Sequence, residues 1–197
     1  MYWGHRFGKA MPVDIMCILL KKGYLTTGWN CYSNTNSQLY DPAIVDAVEI
    51  GDFDKVHSLM KQNGINLARS KNLINFTEMT CDDIVIVLPA KNIEPYFYVV
   101  KIKSVNAKSI LKIPSVMHTL NNLIILDPCE GFKFDPTSHV YDIGFFHEVE
   151  VLDKKPRNSL NGINDSFPNT NIKYRDNQIY IYDNYVPANF KSTIPRP

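Results

Sequence analysis

Hydrophobic positions along the chain change their spacing near Asp83. Before it, apolar residues recur mostly at helical intervals. Val13, Met16, Cys17, Leu19 and Leu20 form one face after Pro12, and Gly23 stops that helix. Residues 42–79 read as helix in two or three pieces, broken at Gly51-Asp52. Asp52 can cap the piece that buries Phe53, Val56, Leu59 and Met60, and a further amphipathic piece runs from Asn66 to Met79. Two short strands flank the first helix: residues 1–8, carrying Trp3 and Phe7, and Tyr24 to Trp29, which is β-branched and aromatic. The polar stretch Asn30 to Gln38 is a loop.

After Asp83 the pattern is that of strands. Ile84-Val85-Ile86-Val87-Leu88 is a continuous apolar run ended by Pro89, the mark of a strand buried on both faces. Phe97 to Ile102, Leu123 to Leu126 and Phe145 to Leu152 bring the total to about six strands. Helices inserted between the early strands of a small curved sheet or barrel fit this order, an α+β class. Beyond Pro156 the composition turns to Asn, Pro and Ser. We expect one domain over residues 1–155, then a C-terminal extension or linker over 156–197 with a short hairpin from Asn171–Tyr174 and Gln178–Tyr182. The stretch Ala47 to Val56 resembles the helix pair of an ankyrin repeat. It has no second copy, and a single unit cannot bury its own face.

Composition narrows the classes. With 45% hydrophobic and 12% aromatic residues in 197, the chain collapses around one core. Charges nearly cancel at +1, so any nucleic-acid site has to be a local patch. No apolar run approaches the ~20 residues that span a bilayer, and the first residues lack the order of a secretory signal. Cys17, Cys31, Cys81 and Cys129 form no CxxC pair, which favours a reducing, cytoplasmic setting.

A search for catalytic groups assembles nothing. A Mg²⁺-dependent nuclease needs an Asp on one strand and Asp/Glu-x-Lys on the next. Glu148 and Glu150 have Glu150 and Leu152 in the lysine place, and Lys101 and Lys103 lack the carboxylate two residues earlier. His5, His57, His118, His139 and His147 make neither HxxxH nor HxH, so no metal is expected. Cys81 and Cys129 sit beside acidic residues, a poor setting for a nucleophilic thiolate, and Cys17 lies on a buried helical face. Neither a P-loop nor GxGxxG is present, and we expect no cofactor and no enzyme activity from this chain alone. What remains is basic and aromatic. Lys91, Lys101, Lys103, Lys108 and Lys112 form one cluster, and Lys154, Lys155, Arg157, Lys173 and Arg175 a second. Such charge supplies phosphate contacts and aromatic faces supply stacking; the ordinary alternative is a solvated lysine face with core tryptophans.

The order of these pieces resembles the EVE-like domains of the PUA superfamily, relatives of YTH domains found as N-terminal specificity modules of modification-dependent restriction proteins. The resemblance rests on Tyr2-Trp3-Gly4-His5-Arg6-Phe7-Gly8, on Gly28-Trp29 closing the second strand, and on Phe76 leading through Asp82-Asp83 into Ile84–Pro89. Tyr98-Val99-Val100-Lys101-Ile102, Val149-Glu150-Val151-Leu152 and Pro156-Arg157-Asn158-Ser159-Leu160 follow in order. It covers roughly residues 1–160. Asp82 stands where the turn glycine is usual, Val151 where a tryptophan is, and Asn106 to Val140 has no counterpart.

The resemblance implies a PUA-like fold and a reader that takes a modified base out of the stack into an aromatic pocket, on DNA ahead of RNA, in prokaryotic restriction or phage defence. A nuclease or NTPase partner would do the cutting, with no membrane involved. Trp29 is the pocket residue the resemblance favours, with Trp3 and Tyr32 behind it. Arg6, Lys101, Lys103 and Arg157 are the residues for the nucleic-acid backbone. The alternatives are Trp3 as core, Tyr32 as loop surface and Arg6 as an ion-pair partner. Two other functions stay open: an RNA-binding PUA-like module, and a non-catalytic docking protein of a defence complex.

Overall fold

The structure, a computed structural model, describes residues 1–7, 13–28, 41–65, 67–90, 94–113, 116–119, 122–125, 143–163 and 171–197. Strand β1 is Tyr2–Arg6, helix α1 is Val13–Lys21 and strand β2 is Tyr24–Thr27. Between α1 and β2, Gly23 takes a φ of 91°. Its N–H closes on Leu20 O at 3.0 Å, so the chain turns where glycine can enter the left-handed region. Helices α2 (Pro42–Ile50) and α3 (Phe53–Gln62) follow. Asp41 caps α2 through the Ala43 N–H at 2.9 Å. The break expected at Gly51-Asp52 is a left-handed glycine, φ 73°, after which Asp52 caps α3 through the Lys55 N–H at 3.0 Å. Helix α4 is Leu67–Thr77.

The remaining strands are β3 (Ile84–Leu88), β4 (Tyr96–Ile102), β5 (Lys108–Ser109), β6 (Val116–Thr119), β7 (Asn122–Ile125), β8 (Phe145–Pro156) and β9 (Asn171–Lys173), and α5 is Gln178–Tyr185. The main sheet runs β2-β8-β4-β3-β1-β9, with β5 also on β8. Only β1 and β3 are parallel, in register from Tyr2↔Ile84 to Arg6↔Leu88; the other ladders are antiparallel. The fold is mixed α+β, with a strongly curled half-barrel sheet and five helices among the described residues.

Strand alternation divides the core in two. Trp3, Val85, Val87, Tyr98 and Val100 face inward against the helices between β1 and β3. Tyr2, Ile84, Ile86, Phe97 and Val99 face outward. That outer face is covered by the C-terminal residues, chiefly Ile181, Tyr182, Tyr185 and Ile194. Both faces of β3 are therefore buried, as its unbroken apolar run requires.

Three sequence expectations are corrected. Residues 156–197 are not a linker: β9 pairs with β1 and α5 seals the outer core. The expected hairpin is absent because Gln178–Tyr185 is helical; Ile181, Tyr182 and Tyr185 share one face at helical spacing and bury it. The strand expected at Leu123 to Leu126 is not part of the main sheet. β7 pairs with β6 alone, while both sides of β8 at Phe146 are taken, by Thr26 and by Lys108.

Candidate nucleic-acid interface

The concave side of the sheet is organised by two buried histidines around Phe76 of α4. His5 Nε2 lies 2.9 Å from Thr26 O and its Nδ1 lies against the Asn171 side-chain oxygen. Both oxygens are acceptors, and the neutral ring donates its one N–H to Thr26 O. Asn171 in turn donates to Asn72 O at 2.8 Å, which ties β9 to α4. His147 donates Nε2–H to Phe76 O at 2.9 Å and receives Ser104 Oγ–H on Nδ1 at 2.8 Å. The Phe76 ring centroid lies 5.6 Å from that of His5 and 4.9 Å from that of His147. Burial pushes both imidazoles down to about 4, against the opposing pull of their hydrogen bonds. They are neutral at pH 7 and serve as structure.

The His5 bond holds the end of β2, the strand leading to Gly28-Trp29. Beside it is a polar group the fold does not use: Thr26 Oγ1 is buried with no hydrogen-bond partner among the described residues. A buried hydroxyl left unpaired costs about 1–3 kcal/mol. Trp29 and Tyr32 themselves lie outside the described residues.

Trp3 is corrected from pocket wall to core. It is 1% exposed, and its indole N–H is donated to the buried Asp83 carboxylate at 2.7 Å. At that burial neither face of the indole is open to a base. Lys101 is corrected too. Its side chain is only 15% exposed and pairs with Asp82 at 2.8 Å, because the turn into β3 places that carboxylate beside the end of β4. Lys103 is 3.9 Å from Glu150, Lys108 is 2.8 Å from Glu148 and Lys112 is 2.7 Å from Glu49. Each described lysine of the first cluster thus faces a carboxylate, which removes the local positive field.

Arg6 and Arg157 fare differently. Arg6 ends β1 in register with Leu88. Arg157 donates Nη1–H to Pro89 O at 2.8 Å and its backbone N–H to Pro95 O at 2.9 Å. Both therefore stand at the Pro89 end of the sheet. Lys101 lies five residues along β4 from Tyr96, ~17 Å of extended strand. The four residues expected to grip the backbone are divided between two ends.

Sequence reasoning missed Tyr96. An open cavity of about 370 Å³ is lined by Pro95, Tyr96, Pro156, Arg157 and Asn158. It forms because β4 begins and β8 ends in register, Tyr96 opposite Pro156, so two prolines and an aromatic ring meet where the ladder stops. Tyr96 is 36% exposed, and Lys154 Nζ lies 4.0 Å from its ring centroid. Lys154 is also 3.6 Å from Glu94, which accepts Tyr98 Oη–H at 2.9 Å and faces Lys21 at 3.8 Å. Burial, then Glu94, pushes the Tyr98 hydroxyl up, so it stays a donor. The signal was present as Pro95-Tyr96 and Pro156-Arg157, but only their pairing gives it meaning.

Among the described residues no group of three or more His, Cys, Asp or Glu side chains is placed to hold a metal ion, and no helix is long and apolar enough to cross a membrane. Comparison with family models, curated proteins and solved structures returns no match for this chain.

Proposed function

We propose that this chain is a PUA-like specificity module that recognises a modified base, in DNA ahead of RNA, by flipping it into an aromatic pocket at the end of β2. Its setting is prokaryotic restriction or phage defence, where a nuclease or NTPase partner does the cutting. The observation that supports this reading is the buried, unpartnered Thr26 hydroxyl, three residues before Trp29, on the rim of a curled sheet. No described residue uses that hydrogen-bonding capacity, and a base edge is a group that can use it. Flipping costs a few kcal/mol. Stacking on one aromatic returns about 1–3 kcal/mol, and a buried methyl adds about 0.8. Discrimination therefore requires polar contacts to the base edge as well as shape.

The test is binding of the purified chain to oligonucleotides that differ only in one modified base, in DNA and in RNA. Preferential binding to one modified DNA supports the reading. A preference for RNA moves it to an RNA-binding module. Equal binding to modified and plain strands, or none, ends it.

A further inference from the structure

The turn between α2 and α3 carries apolar side chains that the core does not use. Helix α2 buries Ile44, Ala47 and Val48, and α3 buries Val56 and Met60. Phe53, read from the sequence as part of that buried face, is 38% exposed, and Ile50 is 65% exposed. A third apolar residue joins them from the loop between β4 and β5. Asn106 donates Nδ2–H to Glu49 O at 3.0 Å, and it sits so close over Gly51 that a Cβ there would lie 2.8 Å from its Oδ1. Thr80 fixes the same loop by donating Oγ1–H to Val105 O at 2.9 Å. Val105, beside Asn106, is thereby held at this corner with 68% exposure.

The charge around these three residues has one sign. Asp46 stands one helical turn before Ile50, and Asp52 and Asp54 flank Phe53. No described residue forms an ion pair with any of the three. The nearby carboxylates of Glu49 and Asp82 are, by contrast, taken by Lys112 and Lys101, and Lys103 faces Glu150 at 3.9 Å. Lys55, in the first turn of α3, offsets one of the three aspartates, and the corner stays negative.

This combination selects the occupant. A nucleic-acid backbone or an anionic membrane surface is repelled by the aspartates. A second copy docked through the same corner across a two-fold axis sets each carboxylate near its own counterpart. A neutral apolar segment would cover the side chains and leave the charge unanswered. A basic segment with apolar anchors uses both, and three side chains make a patch of the size that one amphipathic segment covers.

We propose that the α2–α3 corner docks a basic amphipathic segment of a partner protein. Its apolar residues rest on Ile50, Phe53 and Val105, and its lysine or arginine heads lie over Asp46, Asp52 and Asp54. The proposal does not rest on base reading, and neither requires the other.

The experiment titrates the full chain with two synthetic helical peptides of about four turns, followed by calorimetry and NMR. The peptides share a leucine face; the other face carries lysine in one and glutamate in the other. The lysine peptide is expected to bind at least about tenfold more tightly than the glutamate peptide, to weaken as salt is added, and to shift the resonances of Ile50, Phe53 and Val105. Ile50→Ser and Phe53→Ser are each expected to weaken it by about tenfold with the Tm nearly unchanged. The double variant Asp46→Asn, Asp54→Asn should narrow the gap between the two peptides; Asp52 is kept because it caps α3. Equal affinity for the two peptides, shifts confined to another surface, or binding indifferent to both serine variants with the Tm unchanged overturns the proposal. Self-association of the chain that Phe53→Ser abolishes would make a second copy the occupant, and overturns it as well. Discrimination of modified bases is read separately with the oligonucleotides and is untouched by either result.

Discussion

His5 on β1 and Thr26 on β2 are joined by a 2.9 Å hydrogen bond, although three strands stand between β1 and β2 in the sheet. In a flat sheet their strands would lie ~19 Å apart at ~4.8 Å per strand. The bond is possible only because the sheet curls, and it closes the concave side over Phe76.

This closure makes the fold sensitive to acid. The pKa of each imidazole is lowered to about 4 in the folded chain, from 6.5. The unfolded chain therefore binds more protons between those values. The stabilisation is fully present above pH 6.5 and is lost as pH falls toward 4, by about 3 kcal/mol for each histidine. Urea unfolding measured from pH 7.5 to 4.5 should show this, with a fall already evident between 6.5 and 5.5, before carboxylates titrate. A flat profile over that upper interval would contradict two buried neutral histidines.

Thr26→Val keeps the side-chain shape and removes the unpaired hydroxyl. It is expected to raise stability by about 1 kcal/mol while reducing discrimination between modified and plain oligonucleotides. A loss of stability would mean that the hydroxyl is bonded in solution and that the base-edge role assigned to it is wrong.

Trp3 and Trp29 should separate in a single pair of experiments. Trp3→Ala removes a buried ring and strips Asp83 of its indole donor, and is expected to cost about 3–5 kcal/mol. Under the proposed function, Trp29→Ala weakens oligonucleotide binding by roughly one to two orders of magnitude, the range set by one stacking contact, and leaves the Tm nearly unchanged. Thermal unfolding and binding of both variants decide. An unfolded Trp29→Ala would place that residue in the core and remove it from the pocket.

Asp82 has a φ of 72°, the left-handed region where a side chain costs about 1–2 kcal/mol. Asp82→Gly relieves this strain and loses the ion pair with Lys101, worth about 0–1 kcal/mol because the Asp82 carboxylate is exposed to solvent. The expected change is small and of either sign. Asp82→Ala keeps the strain and loses the pair, and should be less stable than Asp82→Gly by about 1 kcal/mol. Chemical unfolding of the two variants checks the order.

Much of the local structure is legible in the sequence because it depends on neighbours in the chain. The cap at Asp52, the left-handed Gly23 and Gly51, and the doubly buried run Ile84–Leu88 all follow from residues within a few positions of each other. What the sequence could not determine is anything that depends on which strands become neighbours. The lysines at 101, 103, 108 and 112 read as a basic stripe until the turn into β3, β8 and α2 set carboxylates beside them. Tyr96 is an ordinary strand residue until Pro156 arrives opposite it, 60 positions later in the chain. The C-terminal residues look polar and poor, yet the outer face of β1, β3 and β4 needs a cover, and Ile181, Tyr182, Tyr185 and Ile194 supply it. Periodicity records which face of an element is apolar. Only the sheet order and its curl decide what that face meets.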